Sequence, residues 1–163
     1  MLLLQASARP GGDTFHVAQR LANELKAEHL DLLDYKIHPF SYEQEYPADD
    51  DFLRLIETKV LLSDQIIFAS PVYWYAMSGP MKIFFDRLSD LLKSRKDLGR
   101  QLRGKRMSVL SVSNDEQINA SFYEAFRLSA EYLGMEYGPA WHGWVGIDRK
   151  AQIHKTQSPT GIP

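Results

Sequence analysis

Short apolar runs alternate with longer amphipathic segments along this chain. Met1–Leu4, Leu30–Leu33, Gln65–Ala69 and Met107–Val112 are such runs, and Met135–Val145 contains a fifth, aromatic-rich one. Runs of this length between polar stretches predict buried strands. Between them, apolar residues recur at spacings of three and four. Ala18, Leu21, Ala22 and Leu25 share one helical face, as do Phe52, Leu55, Ile56 and Val60. Ser78–Leu92 carries Met81, Phe84, Phe85, Leu88, Leu91 and Leu92; a last segment carries Phe122, Phe126, Ser129 and Leu133. Such stripes predict helices that bury one face. Strand–helix alternation predicts a parallel sheet covered on both faces. Right-handed crossovers then leave few topologies. The expected fold is α/β, a three-layer sandwich around a five-stranded parallel sheet of order 2-1-3-4-5. Such folds bind ligands beyond the carboxyl ends of the strands, where the winding reverses. The loops after strands one, three and four are therefore the candidate functional segments.

Composition narrows the picture. The 163 residues suit one domain, expected over residues 1–148, with 149–163 as a polar tail that wraps a neighbour or is disordered. The absence of cysteine excludes a disulfide scaffold, a Cys-zinc site, an iron–sulfur cluster and a thiol nucleophile. No apolar run approaches the ~20 residues of a membrane span. Met1–Gln5 is too short for a signal peptide, so a cytoplasmic protein is expected. A net charge of -2 gives no basic footprint for nucleic acid. The acidic run Glu43–Asp51 and the basic run Lys93–Arg106 are expected to be solvated faces. Gly99–Lys105 mimics the start of a triphosphate-binding loop, but Arg106 stands where Ser or Thr is required and the segment precedes a strand.

The three loops differ in chemistry. After strand one, Ala6-Ser7-Ala8-Arg9-Pro10-Gly11-Gly12-Asp13-Thr14 gathers hydroxyls, a guanidinium and two glycines before a helix start. That set suits an anion, with Ser7, Arg9 and Thr14 as ligands, or a plain turn capped by Asp13 or Thr14. After strand three, Tyr73-Trp74-Tyr75 follows Pro71 and Val72. Three adjacent aromatics in a turn cannot all face a core. They suit a flat conjugated ring, with a backbone N–H nearby for a ring nitrogen, or packing on a helix or a dimer mate. Ser78 is expected to cap the third helix, with Pro80 in its first turn. After strand four, Ser113-Asn114-Asp115-Glu116-Gln117-Ile118-Asn119 is a polar contact loop or a capping loop with Asn119 as cap. His16, His29, His38, His142 and His154 show no metal-ligand spacing. His142, between Trp141 and Trp144, is a candidate for a substrate pocket or a subunit contact.

The stretch from Ser70 to Arg87, with Pro71-Val72-Tyr73-Trp74 and Lys82-Ile83-Phe84-Phe85-Asp86-Arg87, resembles the signature of the NADPH-dependent FMN reductase and quinone reductase family on the flavodoxin-like fold. The first loop resembles that family's phosphate loop, with Ala6 where Gly is usual and Asp13 where Asn is common. The resemblance covers residues 1 to about 147 in order. It implies that Ser7, Arg9, Asp13 and Thr14 surround an FMN phosphate. It implies further that Pro71, Val72, Tyr73 and Trp74 lie along the isoalloxazine, and that Ser113 and Asn114 approach its pyrimidine edge or ribityl chain. Tyr75 and His142 would border the substrate. No catalytic side chain is required, because hydride passing from NADPH or NADH to the flavin is the cofactor's own chemistry. Electrons would then leave to a small-molecule acceptor such as a quinone or another flavin, in ping-pong turnover. The basic run is a candidate for the 2′-phosphate of NADPH. A homodimer or homotetramer is expected, to cover the aromatic loop. The rivals are a flavodoxin-like electron carrier, disfavoured by the weak net charge, and a flavin-free regulatory protein. A phosphoacceptor domain lacks its acids after strands one and three.

Overall fold

The computed structural model describes residues 1–146 and 150–156. Strands β1 (Leu2–Gln5), β2 (Glu28–Asp31), β3 (Gln65–Pro71), β4 (Arg106–Ser113) and β5 (Glu136–Val145) are parallel and lie in the expected order. The sheet has six strands rather than five: β6 (Ala151–Lys155) runs antiparallel along β5. Beyond β5, Gly146 N–H donates to the Lys150 carbonyl at 3.0 Å. Ala151 and Ile153 pack toward the apolar layer on one face of the sheet. Part of the segment expected as a tail is thus an edge strand; residues 149 and 157–163 of it lie outside the described residues.

Helices α1 (Asp13–Leu25), α2 (Phe52–Leu55), α3 (Gly79–Arg87), α4 (Lys96–Gly99) and α5 (Ser121–Leu133) connect the strands. Alternate side chains of each strand point to opposite faces. Leu3, Ile67 and Leu110 therefore meet Val17 and Leu21 of α1. Leu2, Leu4, Phe68 and Val109 meet Phe52, Phe84 and Phe126 from α2, α3 and α5. On α5 the buried stripe is Phe122, Phe126, Ala130 and Leu133. Ser129 stands beside it and donates to the Ala125 carbonyl at 2.7 Å. A Cβ at Gly143 would collide with Val17 Cγ1, so the glycine allows α1 to close on β5.

The charge runs behave differently from each other. The acidic run is not simply solvated. Arg87, at the end of α3, is fully buried, and its guanidinium donates to Asp50 at 2.7 and 3.0 Å and to Asp90 at 2.7 Å. Its plane lies 3.4 Å from the centre of the Tyr46 ring. Burial opposes the charge of Arg87, but the two carboxylates outweigh it and hold the pKa above its ordinary value. The basic run lies at the amino-terminal edge of the sheet, ahead of β4 and away from the ligand side. Lys105 Nζ donates there to the carbonyls of Leu61 at 2.8 Å and Ser63 at 3.0 Å, and Arg95 pairs with Glu57 and Asp97. That position removes it as a 2′-phosphate site beside the expected cleft.

Candidate functional site

The carboxyl ends of β1, β3 and β4 are stitched together by backbone bonds. Ala6 N–H donates to the Ala69 carbonyl at 2.9 Å, and Val72 N–H to the Val112 carbonyl at 2.8 Å. Ser78 adds a third tie: its hydroxyl donates to the Ala6 carbonyl at 2.9 Å while accepting from Met81 N–H at 3.3 Å. The expected cap of α3 therefore also joins the first loop to the third. Above these ties opens a cleft of about 620 Å³. Ser7, Arg9, Asp13, Thr14, Pro71, Val72, Tyr73, Trp74, Tyr75, Ser113 and Asn114 all line it. His142 does not: it is completely buried behind the wall formed by the loop after β4.

The first loop brings backbone donors to the start of α1. Gly11 has φ of +62°, a conformation glycine adopts without strain. The N–H groups from Gly11 to Phe15 find no acceptor among the described residues, and the first helical bond is from His16 N–H to the Gly12 carbonyl at 3.2 Å. Free donors at the positive end of a helix suit phosphate. Neither Asp13 nor Thr14 is the cap; that position is Gly12, with no side-chain bond. Asp13 occupies the first turn of α1, where a carboxylate is favoured by the helix dipole. The Ser7 hydroxyl folds the loop by donating to the Arg9 carbonyl at 3.0 Å. The Thr14 hydroxyl has no partner among the described residues and faces the cleft.

The third loop is a two-residue hairpin. Tyr73 and Ala76 exchange backbone bonds at 3.0 Å each way, and the two central residues have φ of +51° (Trp74) and +63° (Tyr75). Such turns normally use Asn-Gly, because side chains at positive φ are strained. Trp74 is 92% exposed, and its ring and that of Tyr75 stand out from the molecule at the cleft. The amides of Trp74 and Tyr75 donate to no described residue, so donors sit beside the aromatic surface. Strain of this kind costs of order 1–3 kcal/mol per residue. Tyr75→Gly is expected to stabilise the fold by about 1 kcal/mol in urea unfolding. A loss of stability would show that the Tyr75 ring packs more than it strains.

The fourth loop forms the remaining wall. The residue flanking α5 is Ala120, with no side-chain bond, but the Asn119 side chain accepts from the N–H of Ser121, the first residue of the helix, at 2.9 Å. Behind the loop, His142 contacts Ser111 Oγ through Nδ1 at 2.8 Å and the Asp115 carbonyl through Nε2 at 2.7 Å. Tyr123 Oη lies 2.6 Å from Ser111 Oγ, and burial pushes the Tyr123 phenol up to about 12. Burial lowers the pKa of His142, and also that of His29, below the ordinary 6.5. The unfolded chain therefore binds more protons than the folded one just below 6.5. Stability is full above about pH 6.5 and falls as pH drops beneath it. Urea midpoints between about pH 7 and pH 5 check this, and a flat profile contradicts it.

A doubly wound sheet, with a cleft at the carboxyl ends of its strands between the start of α1 and an aromatic hairpin, defines a flavodoxin-like fold. Residues 1–147 match the model of the NADPH-dependent FMN reductase family, and the chain belongs to that family. It is 32% identical over 120 residues to YwqN of Bacillus subtilis, whose name describes an NAD(P)H-dependent FMN-containing oxidoreductase. It is 27% identical over 110 residues to an NAD(P)H-dependent FAD/FMN reductase of Geobacillus thermodenitrificans. These matches cover 69% and 67% of this chain but only 66% and 59% of the two relatives. The solved structure of the Trp repressor binding protein from Bacillus subtilis superposes with a TM-score of 0.67 at 27% identity, covering 89% of this chain and 86% of that one. Among the described residues no helix is long and apolar enough to cross a membrane, and no cluster of three or more His, Asp or Glu could hold a metal ion.

Proposed function

We propose that this protein is an FMN-dependent oxidoreductase passing electrons from NADPH or NADH to a small-molecule acceptor such as a quinone or a flavin. The observation that carries this reading is the convergence, in one cleft, of Gly12, Asp13 and Thr14, whose amides find no acceptor among the described residues, and the exposed Tyr73–Tyr75 shelf. FMN fits that donor set: Arg9, Thr14 and the α1 amides for its phosphate, and Pro71, Val72, Tyr73 and Trp74 along its ring. Ser113 and Asn114 face the ring's polar edge or the ribityl chain. When bound, FMN supplies two-electron transfer between nicotinamide and acceptor. The chain's contribution is to bind, orient and donate hydrogen bonds, with no side chain acting as acid or base. Tyr75 borders the open side, where nicotinamide and acceptor take turns.

The exposed aromatic hairpin also supports self-association as a homodimer or homotetramer, because such apolar patches are usually covered. Light scattering at working concentration reads this, and a monomer counts against it. A cytoplasmic setting belongs to the same reading, since the reductant is a cytoplasmic nucleotide. The weak net charge of -2 supports a reductase over a carrier that docks by charge. Anaerobic mixing with NADPH and NADH tests the reading. Rapid bleaching of bound FMN is expected. Bound FMN that neither nucleotide bleaches would favour a carrier.

A further inference from the structure

The buried imidazole of His142 has a directed hydrogen-bond chain running through it. The Asp115 carbonyl can only accept, so His142 Nε2, at 2.7 Å, carries a hydrogen. Burial keeps the ring neutral, which leaves Nδ1 as an acceptor. Ser111 Oγ, 2.8 Å away, is the donor placed for Nδ1, and Tyr123 Oη then donates to Ser111 Oγ at 2.6 Å; the Trp141 carbonyl is a longer, competing acceptor, 3.3 Å from Ser111 Oγ and 3.2 Å from Tyr123 Oη. The run Tyr123, Ser111, His142, Asp115 thus points one way, from α5 through β4 and β5 to the loop that walls the cleft. His154 of β6 stands against the ring with centroids 5.7 Å apart, and Trp144 stacks at 6.1 Å, so the imidazole has little freedom to turn.

The loop depends on this contact. Ser113, Asn114, Asp115, Gln117, Ile118 and Asn119 all line the cleft. Inside the loop, Ser113 Oγ donates to the Asp115 carbonyl at 3.0 Å and accepts from Asp115 N–H at 3.2 Å, and it also lies 3.4 Å from His142 Nε2. Among the described residues, the hydrogen bond from His142 is the one that ties the middle of the loop, Asn114 to Gln117, to another element. We infer that His142 is a positioning residue for the cleft, fixing through the Asp115 carbonyl the wall that Ser113 and Asn114 present. This role reaches the cofactor only if the FMN reading holds; the clamp itself does not depend on it.

The test has three parts. In wild-type protein without FMN, the ring nitrogen resonances of His142 should report a hydrogen on Nε2 and none on Nδ1. Backbone order parameters for Asn114–Gln117 should be near the rigid value of about 0.85, fall below about 0.6 in His142→Leu, and recover in His142→Gln, whose amide restores a donor. FMN affinity should fall about tenfold in His142→Leu and recover in His142→Gln, the scale of one hydrogen bond lost from the wall. A hydrogen on Nδ1 instead would overturn the inference. So would a loop that stays rigid in His142→Leu, or a loosened loop with FMN affinity unchanged. Should His142→Leu fail to fold, the wild-type tautomer and His142→Gln still decide. If no variant, wild type included, binds FMN while the tautomer and order parameters come out as stated, the clamp stands and the FMN reading falls.

Discussion

Arg87→Met is expected to lower folding stability by about 3–5 kcal/mol, the cost of leaving buried charges without their partner. The Arg87 side chain is 1% exposed, and the Asp50 and Asp90 side chains are 7% and 3% exposed. Besides both carboxylates, the guanidinium donates to the His38 carbonyl at 3.0 Å and lies 4.6 Å from the centre of the Phe52 ring. The cluster pins the long segment between β2 and α2 onto the end of α3. Its pH signature gives a second readout. For Asp50, burial pushes the carboxyl pKa up, but the bonds from Arg87 and from the amides of His38 and Phe52 outweigh it, so the folded value lies below the ordinary 3.8. In the wild type this stability is present above about pH 3.8 and lost as pH falls through the folded value. In Arg87→Met the Asp50 carboxyl loses the partner that offsets its burial, so its pKa rises and lowering the pH should recover part of the stability. Urea unfolding across pH reads both effects. A loss below about 1 kcal/mol would mean that the cluster is solvated after all.

Arg9→Ala is expected to weaken FMN binding by about 1.5–3 kcal/mol, or roughly tenfold to more than a hundredfold, the scale of hydrogen bonds to a charged group. Among the described residues Arg9 is the one cation lining the cleft, against the carboxylates of Asp13 and Asp115. Asp13→Asn should act in the opposite direction, because it removes a like charge beside the phosphate while leaving the first turn of α1 intact. Raising the salt concentration should shrink both effects, since an exposed pair is screened. Titration followed by flavin fluorescence measures each constant. An Arg9→Ala variant that binds as the wild type does would remove Arg9 from the phosphate site.

Much of the fold was legible because its strands are buried on both faces. Leu2–Leu4 and Ile66–Ala69 have no exposed side to interrupt the apolar run, so position and type are plain in the sequence. β6 was not legible for the opposite reason. It is an edge strand paired on one side only, and Ala151, Gln152, Ile153 and His154 alternate too briefly to stand out from a polar tail. On α5, Ser129 and the buried Ala130 are both small, and spacing alone did not separate them.

The cleft was legible where chain order places loops at strand ends. What escaped were partners brought together by the fold. Arg87 lies three residues after Phe84 on the apolar face of α3, a signal that a buried charge needed acids. Which of the five acids between Glu43 and Asp51 would answer depends on how that segment returns to the sheet. The position of His142 on the ligand half of β5 suggests a substrate pocket or a subunit contact. Strand pleat turns it behind the wall instead, toward Ser111, its neighbour in the ladder.

Titrating the purified protein with FMN while following tryptophan emission tests the central claim most directly. Trp74 is 92% exposed on the shelf, whereas Trp141 and Trp144 lie in β5. The account predicts saturable binding of one FMN per chain, with quenching that largely disappears in Trp74→Phe. Failure to bind FMN, or binding whose quenching survives unchanged in Trp74→Phe, would contradict it.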